Sequence, residues 1–298
     1  MWLVRRTLRQ LRPHVLHAND AHALTAAGLA SLGLRIPARI ASRRLDFPVR
    51  FPFRYRAFCD RVICVSRQVA DVCRESGIPA RLLRVVHDGV DPRRVRQGSR
   101  QRGRQALGAT DAHRVLLTVA KLTDHKGHRF LLDAMPAVLA ACPEVRLFLA
   151  GDGELAETLG AQAGRLGIGR AVRFLDFRDD VPDLIHGADL LVFPSHMEGM
   201  GSTLVDAMLA GLPIVTTTAG GIPDVTGVNE PGIAPTAWTV PPRDPAALAG
   251  AILDALRSPG KCAILRERAR RRAEEQFTAA HMVEATLEVY REVLASRE

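Results

Sequence analysis

The first 110 residues contain no lysine. Their 22 arginines face only 7 acids, a net of +15, while the rest of the 298-residue chain carries a net of −6. A front part this basic suits nucleic acid, an anionic membrane surface or an acidic substrate. It also suits a merely arginine-rich surface of the kind a GC-rich genome encodes. No helix-turn-helix, zinc or RNA-binding signature accompanies the charge, so nucleic acid is not expected as a partner. Cysteine is scarce. Cys59, Cys64, Cys73, Cys142 and Cys262 are scattered and form no C-x-x-C pair. Neither a disulfide framework nor a zinc site is indicated, and a reducing cytosol fits. No apolar run approaches the roughly 18 residues of a spanning helix. Met1-Trp-Leu-Val meets Arg5-Arg6 at once, which is too short for a secretory signal. Aromatics make up only 5% of the chain, but the hydrophobic fraction of 47% is ample for the cores of one or two domains.

What is present is an alternation of short apolar runs with helical patterns. In the front part, extended segments fall at 14–18, 39–42, 62–66 and 83–86. Helices are expected at 2–12, from 23 to about 32, and at 68–76. Residues 93–110, rich in Arg, Gln and Gly, read as a linker. A second alternation begins at Val115, with strands at 115–120, 145–150, 172–177, 190–193, 214–217 and 238–240. The order β, α, β, α argues for parallel sheet. Arg43 to Arg56 interleaves arginine with Phe, Leu and Tyr. That pattern suits contact with a phosphorylated or lipid-linked partner, and equally a loop snorkelling over the core.

The chain is organised around residues 194–221. The strand Leu190 to Phe193 stops at Pro194, and a loop with Glu198, Gly199, Met200 and Gly201 leads to a helix from Ser202 to Ala210. Gly211 is placed as its C-terminal cap. Such a loop aims free N–H groups and the helix dipole at one point, where an anion can sit. Glu198 and Asp206, eight residues apart, frame that point. A structural reading competes: Asp206 closes a capping box with Thr203, and Glu198 is a solvated loop acid. A second loop, Lys121-Leu-Thr-Asp-His-Lys126-Gly127, places two lysines between strand and helix, which suits phosphate charge.

Glu198-Gly-x-Gly, the second acid and Gly220-Gly221-Ile-Pro-Asp224 together resemble the Glu-x7-Glu segment of retaining glycosyltransferases, in particular glycosyltransferase family 4. Asp stands at the second position of that segment here. The resemblance covers nearly the whole chain and is strongest from 115 to 225. It implies the GT-B fold, an α/β architecture of two Rossmann-like parallel-sheet domains. The expected division is 1–110 for a partial acceptor-side domain and linker, 111–275 for the donor domain, and 276–298 for a helix returning to the front. It implies transfer of a hexose from a nucleotide-sugar donor with retention, to an acceptor such as a cell-envelope lipid or polysaccharide precursor. The implied setting is the cytoplasm, at the inner face of the membrane, with peripheral contact through the basic front part. Glu198 would touch the donor sugar and Asp206 the ribose. Lys121 and Lys126, with N–H groups around Gly199 to Ser202, would hold the diphosphate. Phe177 and Arg178 become candidates for the base. No Asp-x-Asp cluster is present, and the motifs call for no metal or other cofactor. His17 matches the first His of the family's His-x-His front loop. Asn19 occupies the second, leaving Asp20 and His22 as substitutes. The family's first strands and their glycine loop find no match, so the front domain reads as incomplete. Two other readings stay open. One is a non-catalytic nucleotide-sugar-binding protein or partner subunit. The other is an NAD-dependent Rossmann enzyme, because Gly151-x-Gly153-x-x-Ala156 with Asp176 approaches a dinucleotide fingerprint.

Overall fold

A computed structural model describes residues 2–228 and 230–297. The chain divides into two units, Met1–Gly89 with Ala279–Glu298, and Val90–Thr278. Each is built on a sheet whose described strand pairs are all parallel. Both are α/β sandwiches, as the alternation of periods requires.

The front unit holds β1 (Val15–Ala18), β2 (Ala38–Arg43), β3 (Arg61–Cys64) and β4 (Leu83–Val85), in spatial order β1-β2-β3-β4. Asp20 caps the Ala21–Ala30 helix by accepting from the N–H groups of His22 and Ala23, and Ser66 caps Arg67–Glu75. The closing Ala279–Ala295 helix lays Val289 and Val293 on Ala38, Ile40, Ile63 and Val86. Leu8, Ala30 and Ile36 form a further small cluster, and Val62, Val69, Cys73 and Ile78 are buried as well.

The second unit holds β5 (Arg114–Val119), β6 (Val145–Ala150), β7 (Val172–Phe174), β8 (Leu190–Phe193), β9 (Ile214–Thr217) and β10 (Trp238–Val240). Their order is β10-β9-β8-β5-β6-β7. The chain builds outward from β5 through β6 and β7, then crosses back to β8 and builds the other way. The reversal lies between β5 and β8. In open α/β sheets ligands bind beyond the carboxyl ends of the strands at such a switch point. The two loops singled out in the sequence, 121–127 and 194–201, follow β5 and β8. β8, an apolar run, and β9, whose Thr216 and Thr217 hydroxyls donate to the Phe193 and Ser195 carbonyls, are fully buried, as strands covered on both faces must be.

Two sequence expectations are corrected. Residues 93–110 are not a linker: they form the Pro92–Arg96 and Arg100–Leu107 helices. The second packs on the Val181–Gly187 helix so closely that a Cβ on Gly103 would lie 1.9 Å from the Asp183 carbonyl oxygen. Its arginines are paired rather than solvating. Arg102 meets Asp183 at 2.8 Å, and buried Arg104 forks onto Asp189 at 2.7 Å. The strand expected over 172–177 ends at Phe174, because Asp176 turns the backbone into the left-handed region at φ 53°. The basic run 266–272 is partly buried. Arg272 is buried on the Pro259–Gln276 helix and donates to the carbonyls of Asp224 and Val225 and to Glu230. Among the described residues no helix is long and apolar enough to cross a membrane.

Candidate active site

Beyond the carboxyl ends of β5 and β8, the two loops clasp one another. Gly127 sits at φ 71°, and a Cβ there would stand 2.1 Å from the Pro194 carbonyl oxygen. Only glycine permits that approach. The His196 N–H donates to the His125 carbonyl at 2.9 Å. The Lys126 ammonium donates to Glu198 Oε2 at 2.6 Å, and the Ser195 hydroxyl reaches the same oxygen at 3.4 Å. The Lys126 and Glu198 side chains are 18% and 11% exposed, so the pair is largely desolvated yet still opens to solvent. Behind it, Gly220 and Gly221 fix the Glu198 backbone. The Gly221 N–H donates to the Glu198 carbonyl at 2.8 Å, and a Cβ on Gly220 would lie 2.0 Å from that same oxygen.

The helix after the loop starts at Ser202 with Gly201, at φ 91°, as its N-cap and no capping side chain. Its first turn therefore points unpaired N–H dipole at the cavity. The capping-box reading of Thr203 and Asp206 is thereby set aside. The Thr203 hydroxyl donates to the Val119 carbonyl at 3.3 Å, and Asp206 Oδ1 is buried without a partner. Burial pushes the Asp206 carboxyl up to about 6, against the opposing pull of the Arg94 guanidinium.

A cavity of about 300 Å³ is lined by Lys121, Lys126, Glu198, Gly201, Ser202 and Thr203. A second, of about 320 Å³, shares Val119, Ala120, Lys121 and Thr203 with it and continues past Arg94, Gly151, Phe177 and Arg178. Phe177 is exposed, and Arg178 is oriented by Asp180, which its Nε meets at 2.7 Å. The Lys121 ammonium has no ion pair among the described residues and stands exposed between the two cavities. Cation, carboxylate, helix N-terminus and a flat aromatic face thus line one continuous trough. That combination can hold a polyanion next to a ring and a hydroxylated group.

Most of the donor-side residues read from the sequence converge here. Gly199 is half-buried, and Met200 is a buried core residue that supports the loop rather than lining the trough. Asp206 lies one turn inside the helix, behind Thr203 and outside the lining of either cavity. Arg94 and Thr203 were missed. Arg94 sits in the segment taken as linker, and no local pattern marks it. Thr203 was noted only as a capping residue. Gly151 and Gly153 do not make an open dinucleotide cradle. Cβ atoms there would strike the carbonyls of Ala120 and Leu122, and the Leu122 N–H donates to the Asp152 carbonyl at 2.7 Å. These glycines admit the Lys121 loop, and the next helix begins only at Ala156.

In the front unit, His17 and Asn19 line a separate cavity. His17 Nε2 lies 2.8 Å from Ser42 Oγ, and Nδ1 lies 2.6 Å from Tyr290 Oη on the closing helix. Burial, and then the Arg44 charge, hold the His17 imidazole below its ordinary range, favouring the neutral ring. Asp20 and His22 are not brought to this cavity. Asp20 is spent on its helix cap, and His22 is exposed on that helix.

The profile described as glycosyl transferases group 1 matches residues 99–272, and that of glycosyltransferase family 4 matches residues 1–94. The chain belongs to the group 1 glycosyltransferases. It is a GT-B glycosyltransferase of the family 4 type. An uncharacterized glycosyltransferase of Methanocaldococcus jannaschii is 28% identical over 238 residues, covering 78% of this chain and 60% of that protein. Glycogen synthase of Mycobacterium tuberculosis is 30% identical over 210 residues, covering 70% of this chain and 48% of that enzyme. The chain thus spans only about half to three fifths of the length of these relatives. Among solved structures, Anabaena HepE in complex with UDP-glucose superposes with a TM-score of 0.81 at 27% identity, covering 99% of this chain and 82% of HepE. A sucrose-phosphate synthase from Thermosynechococcus elongatus shares the glycosyltransferase fold at a TM-score of 0.83, covering 98% of this chain and 76% of that one, with 19% identity.

Proposed function

We propose that this glycosyltransferase-family chain moves a hexose from a nucleotide-sugar to an acceptor hydroxyl with retention, through the trough beyond β5 and β8. The observation that carries the reading is the Lys126–Glu198 pair, 2.6 Å apart beside the uncapped helix N-terminus, with Lys121 in the same lining. Two cations and a helix dipole suit a diphosphate, and a half-buried carboxylate among them suits the hydroxyls of the attached sugar. HepE, whose structure holds UDP-glucose, supports a nucleotide-sugar as donor.

In the transfer, the bond from the anomeric carbon to the diphosphate breaks and its electron pair leaves with the phosphate oxygen. The acceptor oxygen bonds to the same carbon, and its proton passes to the departing phosphate. Lys121, Lys126 and the first-turn N–H groups stabilise the charge that develops on that phosphate. Glu198 orients the sugar, Phe177 and Arg178 flank the base, and Asp206 backs the ribose side from behind Thr203, outside the cavity lining. The lysines and the helix N-terminus supply the neutralising charge, so the reading assigns no metal or cofactor. The reading sets the protein in the cytoplasm at the inner membrane face, acting on a cell-envelope precursor, and the five free thiols and the basic front part are consistent with that setting.

Calorimetry with UDP tests the site. Lys121→Ala and Lys126→Ala should each weaken UDP binding by about 1–3 kcal/mol, the scale of a lost charged hydrogen bond. Glu198→Gln should leave UDP affinity nearly intact while lowering sugar turnover from UDP-glucose. Unchanged UDP affinity in both lysine variants removes the diphosphate from this loop.

A further inference from the structure

The front unit contains a cavity of about 310 Å³ that the donor chemistry does not use. Its walls differ in character. One is polar, formed by the hydrogen-bonded chain Tyr290–His17–Ser42. The other is apolar, formed by Val65 and Val86 from the sheet side and by Met282 and Leu287 from the closing helix. At the mouth stand Asn19, Arg44 and Asp88, with Arg44 and Asp88 paired at 3.3 Å and both substantially exposed. Arg43 is nearby, but its Nη2 already donates to the Phe47 carbonyl at 2.6 Å. The chain beyond Arg44 exposes Leu45, Phe47, Phe51 and Phe53, and the Arg50 and Arg54 guanidiniums lie over the Phe51 ring at 5.3 and 4.4 Å. Apolar surface and positive charge thus follow Arg44 along the chain.

We propose that this cavity binds an amphiphile, an apolar chain carrying a single phosphate head, and that this is the chemistry of the acceptor. The volume sits at the small end of ligand pockets, about 300–1,000 Å³. That is room for part of an alkyl or prenyl chain. The apolar wall gains nothing from a free sugar or from inorganic phosphate, whereas an apolar chain releases water from it. The head meets Arg44, which the exposed Asp88 occupies only weakly, because surface pairs contribute little. Both His17 ring nitrogens are engaged, so the Ser42 and Tyr290 hydroxyls that they hold offer the hydrogen bonds to the first polar atoms of the ligand, without adding charge. The proposal rests on the glycosyltransferase reading only for the word acceptor, since binding to the front unit is measured without a donor.

Titration of the full chain with octyl phosphate, octyl glucoside and inorganic phosphate, each below its aggregation threshold, tests it. Octyl phosphate should bind at least tenfold more tightly than either of the others. Arg44→Ala should remove most of that preference over octyl glucoside, and Asp88→Asn should strengthen octyl phosphate binding by releasing Arg44. Thr286→Trp, which fills the cavity from the closing helix, should weaken octyl phosphate tenfold or more and leave UDP affinity unchanged. Because Arg44 and Asp88 are surface residues, their variants remain informative should the Trp variant fail to fold. Vesicles containing phosphatidic acid separate the sources. Competition with octyl phosphate assigns a bilayer lipid, and its absence assigns a dispersed single-chain phosphate; either outcome supports the shared chemistry. Equal affinity for octyl phosphate and inorganic phosphate, or no effect of Arg44→Ala and Asp88→Asn together, overturns the proposal. Loss of UDP binding in the wild type would instead remove the donor reading and leave this one standing.

Discussion

A buried carboxylate short of hydrogen bonds raises the free energy of its charged form. Asp206 is in that position, with Oδ1 unpartnered and its carboxyl raised to about 6 from 3.8. The folded chain therefore holds its proton more tightly than the unfolded chain does. Between about pH 4 and pH 6 the native state binds more protons, so this residue's contribution to stability falls as pH rises through that window and is flat above it. Asp206→Asn should stabilise the fold at pH 7.5 by roughly 1–3 kcal/mol, on the scale of two pKa units, and by progressively less towards pH 4. Denaturant midpoints at pH 5 and pH 7.5 check this, and a gain that does not change with pH would show that the charge is not its cause. The same variant should weaken UDP binding if Asp206 serves the ribose. Glu198, Lys121 and Lys126 were legible in the sequence because glycines at short, fixed spacing mark their loops. Arg94 was not, because its place near Asp206 is set by how the Pro92–Arg96 helix packs on Ser202–Ala210.

At the scale of elements, the site depends on two loops that could not approach without glycine. Gly127→Ala places a methyl group against the Pro194 carbonyl and forces an L residue to φ 71°. It should lower stability by about 1–3 kcal/mol. Because the methyl would part Lys126 from Glu198, turnover should fall more than UDP affinity does. Thermal melts alongside single-turnover rates check the pair of effects. A variant with full turnover would mean that the clasp is not needed for catalysis. The sequence marked Gly127 as a turn residue, but the clash that makes it indispensable comes from Pro194, 67 residues away in the chain. Gly103 carries the same lesson. Its composition pointed to a linker, whereas its missing side chain lets two helices touch.

The two units differ most in how much they bury. The second has one continuous apolar cluster that runs from Leu116 through Leu131, Leu149 and Val192 to Trp238 and Ile252. Under the closing helix the front cluster is Ala38, Ile40, Ile63 and Val86 with two valines of that helix, and Val62, Val69, Cys73 and Ile78 are buried elsewhere in the unit. Because hydrophobic stabilisation scales with the area buried, amide hydrogens of residues 2–89 should exchange faster than those of residues 115–225. Exchange followed by mass spectrometry reads this directly, and uniform protection would show that the smaller sheet is no weaker. A truncation at residue 278 should loosen the front unit specifically, since it removes Val289, Val293 and the Tyr290 bond to His17 while leaving the second sheet whole.

Periodicity alone determined that this is a parallel α/β chain, since alternating short apolar runs and helical patterns have few other ways to bury their faces. Local spacing determined which loops hold anions, because glycine, lysine and a helix start act over a few residues. Three matters fell to the tertiary structure. The reversal of strand order between β5 and β8 brings the Lys126 and Glu198 loops together from 72 residues apart. The acids of the Val181–Gly187 region neutralise arginines that composition had left as bare charge. The closing helix turns His17 from a lone loop residue into the middle of a hydrogen-bonded wall. In each case the deciding contact joins segments distant in sequence, so its energy appears only once loop closure has brought them together.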